Sequence, residues 1–103
     1  SQGGIMAYSV GLTRPDLIRG IVIMSGRLLE EVKPLIASKE KLSQLKVFIS
    51  HGTNDQILGI HYARESAAYL NGLNINHSYK EYLEGHGINN AMLSDMVNWL
   101  KNN

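Results

Sequence analysis

Leu45-Lys46-Val47-Phe48-Ile49-Ser50, running directly into His51-Gly52-Thr53-Asn54-Asp55, is the stretch that decides the fold. The first part has the apolar, β-favouring character of a strand, and the second is a run of turn formers, so the strand is predicted to stop abruptly after Ser50. That arrangement leaves polar groups at the carboxyl end of a strand. Upstream, Gly20-Ile21-Val22-Ile23-Met24 is a short continuous apolar run that stops at Ser25-Gly26, the mark of a strand buried on both faces. Downstream, Asn76 to Leu83 alternates through His77-Ser78-Tyr79-Lys80-Glu81-Tyr82, which predicts a half-exposed strand.

Helical patterns separate these strands. Gly4 to Leu12 places Ile5, Met6, Ser9, Val10 and Leu12 in helical rhythm, with Gly3 and Gly4 allowing its start to approach another backbone and Gly11 weakening its end. Pro15 cannot continue that helix, so Thr13-Arg14-Pro15-Asp16 is a turn. Arg27 to Gln44, broken at Pro34 and polar from Ser38 to Ser43, reads as short helical pieces over the surface. His61 to Leu73 is amphipathic and closes at Asn71-Gly72. Asn89 can cap a last helix whose Met92, Leu93, Met96, Val97, Trp99 and Leu100 form one broad apolar face. Strands alternating with helices imply βαβ units, hence an α/β fold with a mostly parallel sheet and helices on its faces. Three strands make a thin sheet with unpaired backbone at an inner edge, so residues 1–103 are expected to be part of a larger domain.

Composition narrows the function. The chain is 44% hydrophobic and 18% charged, with ten Lys and Arg against nine Asp and Glu, and no basic cluster that would suit a nucleic acid. No apolar stretch approaches the roughly 18 residues of a membrane span. Without cysteine there is no disulfide framework, thiolate nucleophile or thiolate metal site, which fits a cytoplasmic location. No phosphate-binding loop is present, and no metal or other cofactor is expected.

In open parallel sheets the working residues gather outside the carboxyl ends of the strands. Three residues meet that rule. Ser1, in Ser1-Gln2-Gly3-Gly4, matches the second half of a G-x-S-x-G elbow; Asp55 follows the Leu45–Ser50 strand, and His86, framed by Gly85 and Gly87, follows the last strand. Of the other aspartates, Asp16 sits in the turn leading into a strand and Asp95 lies inside the last helix. Of the other histidines, His61 opens a helix, His77 opens a strand, and His51 competes as a base but has the simpler role of holding its loop by a hydrogen bond. Each of the three has a bland alternative, Asp55 as an Asx turn over Thr53-Asn54-Asp55 and His86 as an ordinary loop histidine. Their joint occurrence, in the order Ser, Asp, His and each after a different strand, decides for a triad. That is the chain order of the α/β-hydrolases.

Ser1-Gln2-Gly3-Gly4, Gly20-Ile21-Val22-Ile23-Met24-Ser25-Gly26, His51-Gly52-Thr53-Asn54-Asp55, Glu84-Gly85-His86-Gly87-Ile88 and the closing Trp99-Leu100 together resemble the phospholipase/carboxylesterase branch of the α/β-hydrolases. The resemblance spans essentially the whole chain and about half of such a domain, from the nucleophile onward. It implies a serine hydrolase of carboxylic esters or thioesters, with Ser1 as nucleophile, His86 as base, Asp55 orienting it, and the backbone N–H of Gln2 as one oxyanion donor. It implies small esters, lysophospholipids or acyl thioesters on proteins as substrates; Leu28 and Leu29 are candidates for an acyl groove, with simple packing as the alternative. It further implies that the elbow's first glycine, the opening strands and a second oxyanion donor belong to a missing front half. Besides the missing front half there is one departure: where family members usually have a proline a few residues after the acid, this chain has Gln56-Ile57-Leu58-Gly59. Two rivals remain, an N-terminal-serine hydrolase that uses its own α-amino group as base, and a hydrolase-like scaffold without activity.

Overall fold

The computed structural model describes residues 2–16, 18 and 20–103; Ser1, Leu17 and Arg19 lie outside the described residues. Three parallel strands form one sheet in the order β1-β2-β3: β1 is Gly20–Met24, β2 is Lys46–Gly52 and β3 is His77–Tyr82. Ile21 lies opposite Val47 and Ile23 opposite Ile49, while Ile49 lies opposite Tyr79. Helix α1, Gln2–Thr13, precedes β1, and α3, Ile60–Gly72, connects β2 to β3. The last helix, α4, is Asn90–Asn102. Between β1 and β2 lie a 3-10 helix, Glu30–Leu35, and the single-turn α2, Lys39–Leu42, as the broken pattern there predicts.

The period of two along each strand sorts the helices onto opposite faces. Ile21, Ile23, Val47 and Ile49 join Tyr8 and Leu12 of α1, Leu70 of α3, and Leu28, Leu42 and Leu45 in one buried cluster. Phe48 points the other way and meets Trp99 of α4, their ring centroids 5.7 Å apart. Helices on both faces of a parallel sheet, expected from the alternation of elements, are therefore present.

Four details differ from the sequence reading. Helix α1 runs through Gly11 to Thr13, because a Cβ at Gly11 would lie 2.8 Å from Ile21 Cγ2: this glycine brings the helix onto β1 instead of ending it. Pro34 lies inside the 3-10 helix and does not break it. Helix α3 includes Asn71 and Gly72, and the left-handed residue after it is Asn74, with φ 56°, a conformation asparagine tolerates better than most residues. Finally, α4 buries Met92 and half-buries Met96 and Trp99, while Leu93, Val97 and Leu100 are exposed, so the described chain covers only part of its apolar face. Asn89 does cap α4, its side chain accepting the Met92 N–H at 2.8 Å.

Candidate active site

The carboxyl ends of β2 and β3 are fastened to each other by backbone bonds that continue past the sheet. Thr53 N–H donates to Tyr82 O at 2.8 Å and Asn54 N–H to Glu84 O at 3.0 Å. Strand β2 runs two residues further than expected, to Gly52. There a Cβ would lie 2.5 Å from Gly85 O and closer still to Glu84 O. Only a residue without a side chain allows the two loops this approach, and their approach sets Asp55 beside His86.

Asp55 Oδ2 accepts a hydrogen bond from His86 Nδ1 at 2.6 Å. The carboxylate side chain is fully buried and the imidazole is 21% exposed. Asp55 Oδ1 accepts the backbone N–H groups of Ile57 at 2.9 Å and Leu58 at 2.8 Å. The turn-closing bonds of the bland reading thus fall on Oδ1, while Oδ2 contacts His86. The turn it closes covers Asp55 to Leu58 and not Thr53 to Asp55. Burial alone raises the pKa of this carboxyl. That effect is outweighed by the Leu58 N–H, the His86 hydrogen bond and the Ile57 N–H, which hold it below its ordinary value of 3.8. Asp55 is therefore an anion that fixes the proton of His86 on Nδ1. The lone pair of Nε2 is left as the basic atom of the ring.

Those same bonds restrain the segment that lacks proline. Leu58 N–H is held by Asp55, and Leu58 O accepts from His51 Nε2 at 2.7 Å. His51 is 0% exposed and so is no competing base at the surface; it does hold its loop, as its simpler role required. The remaining alternatives sit elsewhere. Asp16 pairs with Arg14 before β1, at the amino end of the sheet, and Asp95 accepts from Tyr82 Oη at 2.7 Å. His61 stacks on Tyr62 in the first turn of α3, and His77 Nδ1 lies 2.9 Å from Ile75 O at the amino end of β3.

The predicted nucleophile, Ser1, lies outside the described residues. Gln2, the predicted oxyanion donor, is the exposed first residue of α1. The start of that helix is seated against the end of β1, since a Cβ at Gly4 would lie 2.7 Å from Gly26 Cα. The expected close backbone approach is made by Gly4; Gly3 has nothing within 4 Å of a Cβ. Beside Gly26, Ser25 is buried in the left-handed region at φ 59°, a conformation that costs a non-glycine residue about 1–2 kcal/mol. In the sequence Ser25-Gly26 marks a strand stop and belongs to a segment that carries the family resemblance, but nothing local signals this conformation. Of the two groove candidates, Leu28 belongs to the buried core cluster and Leu29 is half-buried at the start of the 3-10 helix. Among the described residues no group of three His, Asp or Glu side chains is arranged to hold a metal. No helix of the described chain is long and apolar enough to cross a membrane.

Comparison with known proteins bears on the family and the fold. The chain is 29% identical over 108 residues to acyl-protein thioesterase 1 of Yarrowia lipolytica (strain CLIB 122 / E 150), a match covering 100% of this chain and 47% of that protein. Among solved structures, esterase PE8 superposes with a TM-score of 0.82 at 24% identity, covering 98% of this chain and 46% of its own. A Bacillus cereus carboxylesterase gives 0.80 at 21% identity, with 97% and 45% covered. Arabidopsis thaliana SOBER1 gives 0.77 at 24%, with 99% and 49% covered. These likenesses identify the fold as that of the α/β-hydrolases. The chain spans about half the length of the curated relative it matches. The phospholipase/carboxylesterase family model matches residues 1–103, and with that match over its whole length the chain belongs to the phospholipase/carboxylesterase family.

Proposed function

We propose that this chain carries the catalytic half of a serine hydrolase acting on carboxylic esters or thioesters. The observation that carries the reading is the 2.6 Å bond between a buried Asp55 carboxylate and a partly exposed His86, at the carboxyl ends of neighbouring strands. In this reading Ser1 Oγ attacks the carbonyl carbon while His86 Nε2 takes its proton, and Asp55 stabilises the imidazolium that forms. The proton then passes from Nε2 to the departing alcohol or thiol, leaving an acyl group on Ser1 that water removes with His86 again as base. The N–H of Gln2, at the amino end of α1, offers one hydrogen bond to the developing oxyanion, and the helix end adds favourable partial charge.

One donor of this kind contributes about 3 kcal/mol. A second, together with the elbow's first glycine, is assigned to a front half of the domain. The 103 residues alone are therefore expected to turn over slowly or not at all. The acyl-protein thioesterase relative favours thioesters on proteins as one substrate class, and Leu29 is the groove candidate left available by the packing of Leu28. The test is hydrolysis of p-nitrophenyl butyrate by the full-length protein and by its Ser1→Ala, Asp55→Asn and His86→Ala variants. Each variant should remain folded and lose at least about 1,000-fold in kcat. Folded variants that keep wild-type rates would sink the assignment.

A further inference from the structure

We propose that His51 is a positioning residue for the Asp55–His86 pair, holding the acid loop and its carboxylate from beneath in place of a proline. The proposal rests on the reading of that pair as the acid and base of the hydrolase. His51 is wholly buried inside a central strand, where a hydrogen bond is costly to lose, so the partner its imidazole finds is informative. His51 Nε2 lies 2.7 Å from Leu58 O and 3.3 Å from Asp55 Oδ2. A carbonyl oxygen can only accept, so the proton is on Nε2 and is donated to Leu58 O, with the Asp55 carboxylate close beside the N–H. His51 Nδ1 has no partner among the described residues.

The bonds form a closed ring. Asp55 Oδ1 holds Leu58 N–H, Leu58 O receives His51 Nε2–H, and Asp55 N–H returns to Gly52 O at 3.3 Å, next to His51 in the chain. With Oδ1 committed to the backbone, Oδ2 is turned toward His86 and lies between two imidazoles that present opposite nitrogens to it. In Gln56-Ile57-Leu58-Gly59 no residue restricts its own φ as proline does, so the side chain beneath the loop supplies the restraint. Removing the Nε2–H leaves Leu58 O buried without a donor and frees the carboxylate to rotate away from His86. A displacement of about 1 Å at such a pair is enough to lower turnover by roughly 100-fold.

The experiment compares His51→Leu, which has no donor, with His51→Gln, whose amide N–H reaches about as far as Nε2, in the full-length protein. Two readouts are taken: kcat and KM for p-nitrophenyl butyrate, and the NMR signal of the His86 Nδ1 proton. His51→Leu should lower kcat by about 30-fold with KM within about twofold, and its His86 proton should exchange away. His51→Gln should restore kcat to within about threefold and retain the proton signal. Wild-type kcat in folded His51→Leu, or equal impairment of both variants, overturns the proposal. If the wild-type protein hydrolyses no ester, the hydrolase reading fails, while the proton signal still decides the role of His51: loss in His51→Leu alone supports it and persistence overturns it. Should His51→Leu not fold, His51→Asn, too short to reach Leu58 O, takes its place with the same expected loss, and a wild-type signal in that variant overturns the proposal.

Discussion

Replacing Gly52 by alanine adds one methyl group at the point where the acid loop meets the histidine loop. The new Cβ would lie 2.5 Å from Gly85 O, closer than that to Glu84 O, and 2.7 Å from Glu84 C, where ordinary contact begins at 3.4 Å. All three atoms are backbone, so no side chain can rotate out of the way. The loops must part by about 0.9 Å at Gly85 and by more at Glu84. A shift of that size transmitted to the 2.6 Å Asp55–His86 bond stretches it to about 3.5 Å, where little hydrogen bonding survives. The expected cost is about 1–3 kcal/mol of stability from overpacking and, under the proposed triad, roughly 100-fold in kcat from misplacing His86. No glycine among the described residues has a positive φ, so backbone strain does not contribute to this expectation. Gly85→Ala and Gly87→Ala are the controls: the first Cβ meets only Asn54 O at 4.0 Å and the second meets nothing within 4 Å. The assay is steady-state ester hydrolysis by the full-length variants, with thermal unfolding to confirm that each is folded. A folded Gly52→Ala enzyme with kcat within threefold of wild type, or Gly85→Ala impaired as severely, would refute the reasoning.

Glu81 is held at about 2 by the Arg64 guanidinium, which binds both of its oxygens, and then by Tyr79 Oη. Its folded pKa lies below its ordinary 4.5, so its contribution is present above about pH 4.5 and lost as the pH falls toward 2. Urea unfolding at pH 7 and pH 3 should show a smaller acid loss in Glu81→Gln than in wild type, by no more than about 1 kcal/mol because Arg64 is exposed; the loss left in the variant includes the depressed Asp55. Equal acid losses in the two proteins would remove Glu81 from this role. Trp99→Ala removes the ring packed on Phe48 across the face opposite the main core. It should cost about 2 kcal/mol in unfolding experiments, given a half-buried site, and leave kcat unchanged. Asn89→Ala removes the acceptor for Met92 N–H and should cost about 1 kcal/mol, read from the same urea curves.

The strands, their parallel orientation and the helices on both faces were legible because periodicity and the alternation of elements report burial: Ile21, Val47 and Ile49 alternate with Val22 and Phe48, all apolar, as a sheet covered on both sides requires. Asp55 and His86 were legible as a pair because the position of a polar residue after a strand is a topological fact that local sequence preserves. The contacts that bring them together were not. Gly52 reads locally as a turn glycine, and only the path of the chain 32 residues later, at Glu84 and Gly85, gives it a reason to lack a side chain. The glycines flanking His86 are more conspicuous in the sequence, although neither is needed for space. His51 was read as a loop holder, but its proximity to the Asp55 carboxylate depends on how the loop folds back over the strand. The uncovered side of α4 was likewise hidden, since helical rhythm marks an apolar face without saying what packs on it.

The most direct test of the triad is chemical labelling of Ser1 in the full-length protein. Treatment with a fluorophosphonate, followed by peptide mass spectrometry, should find one stoichiometric adduct on Ser1, absent from Ser1→Ala and from heat-unfolded protein, and formed far more slowly in His86→Ala. An adduct on any other residue, or an active esterase in which Ser1 stays unlabelled, would contradict the assignment of Ser1, Asp55 and His86 as one hydrolytic machine.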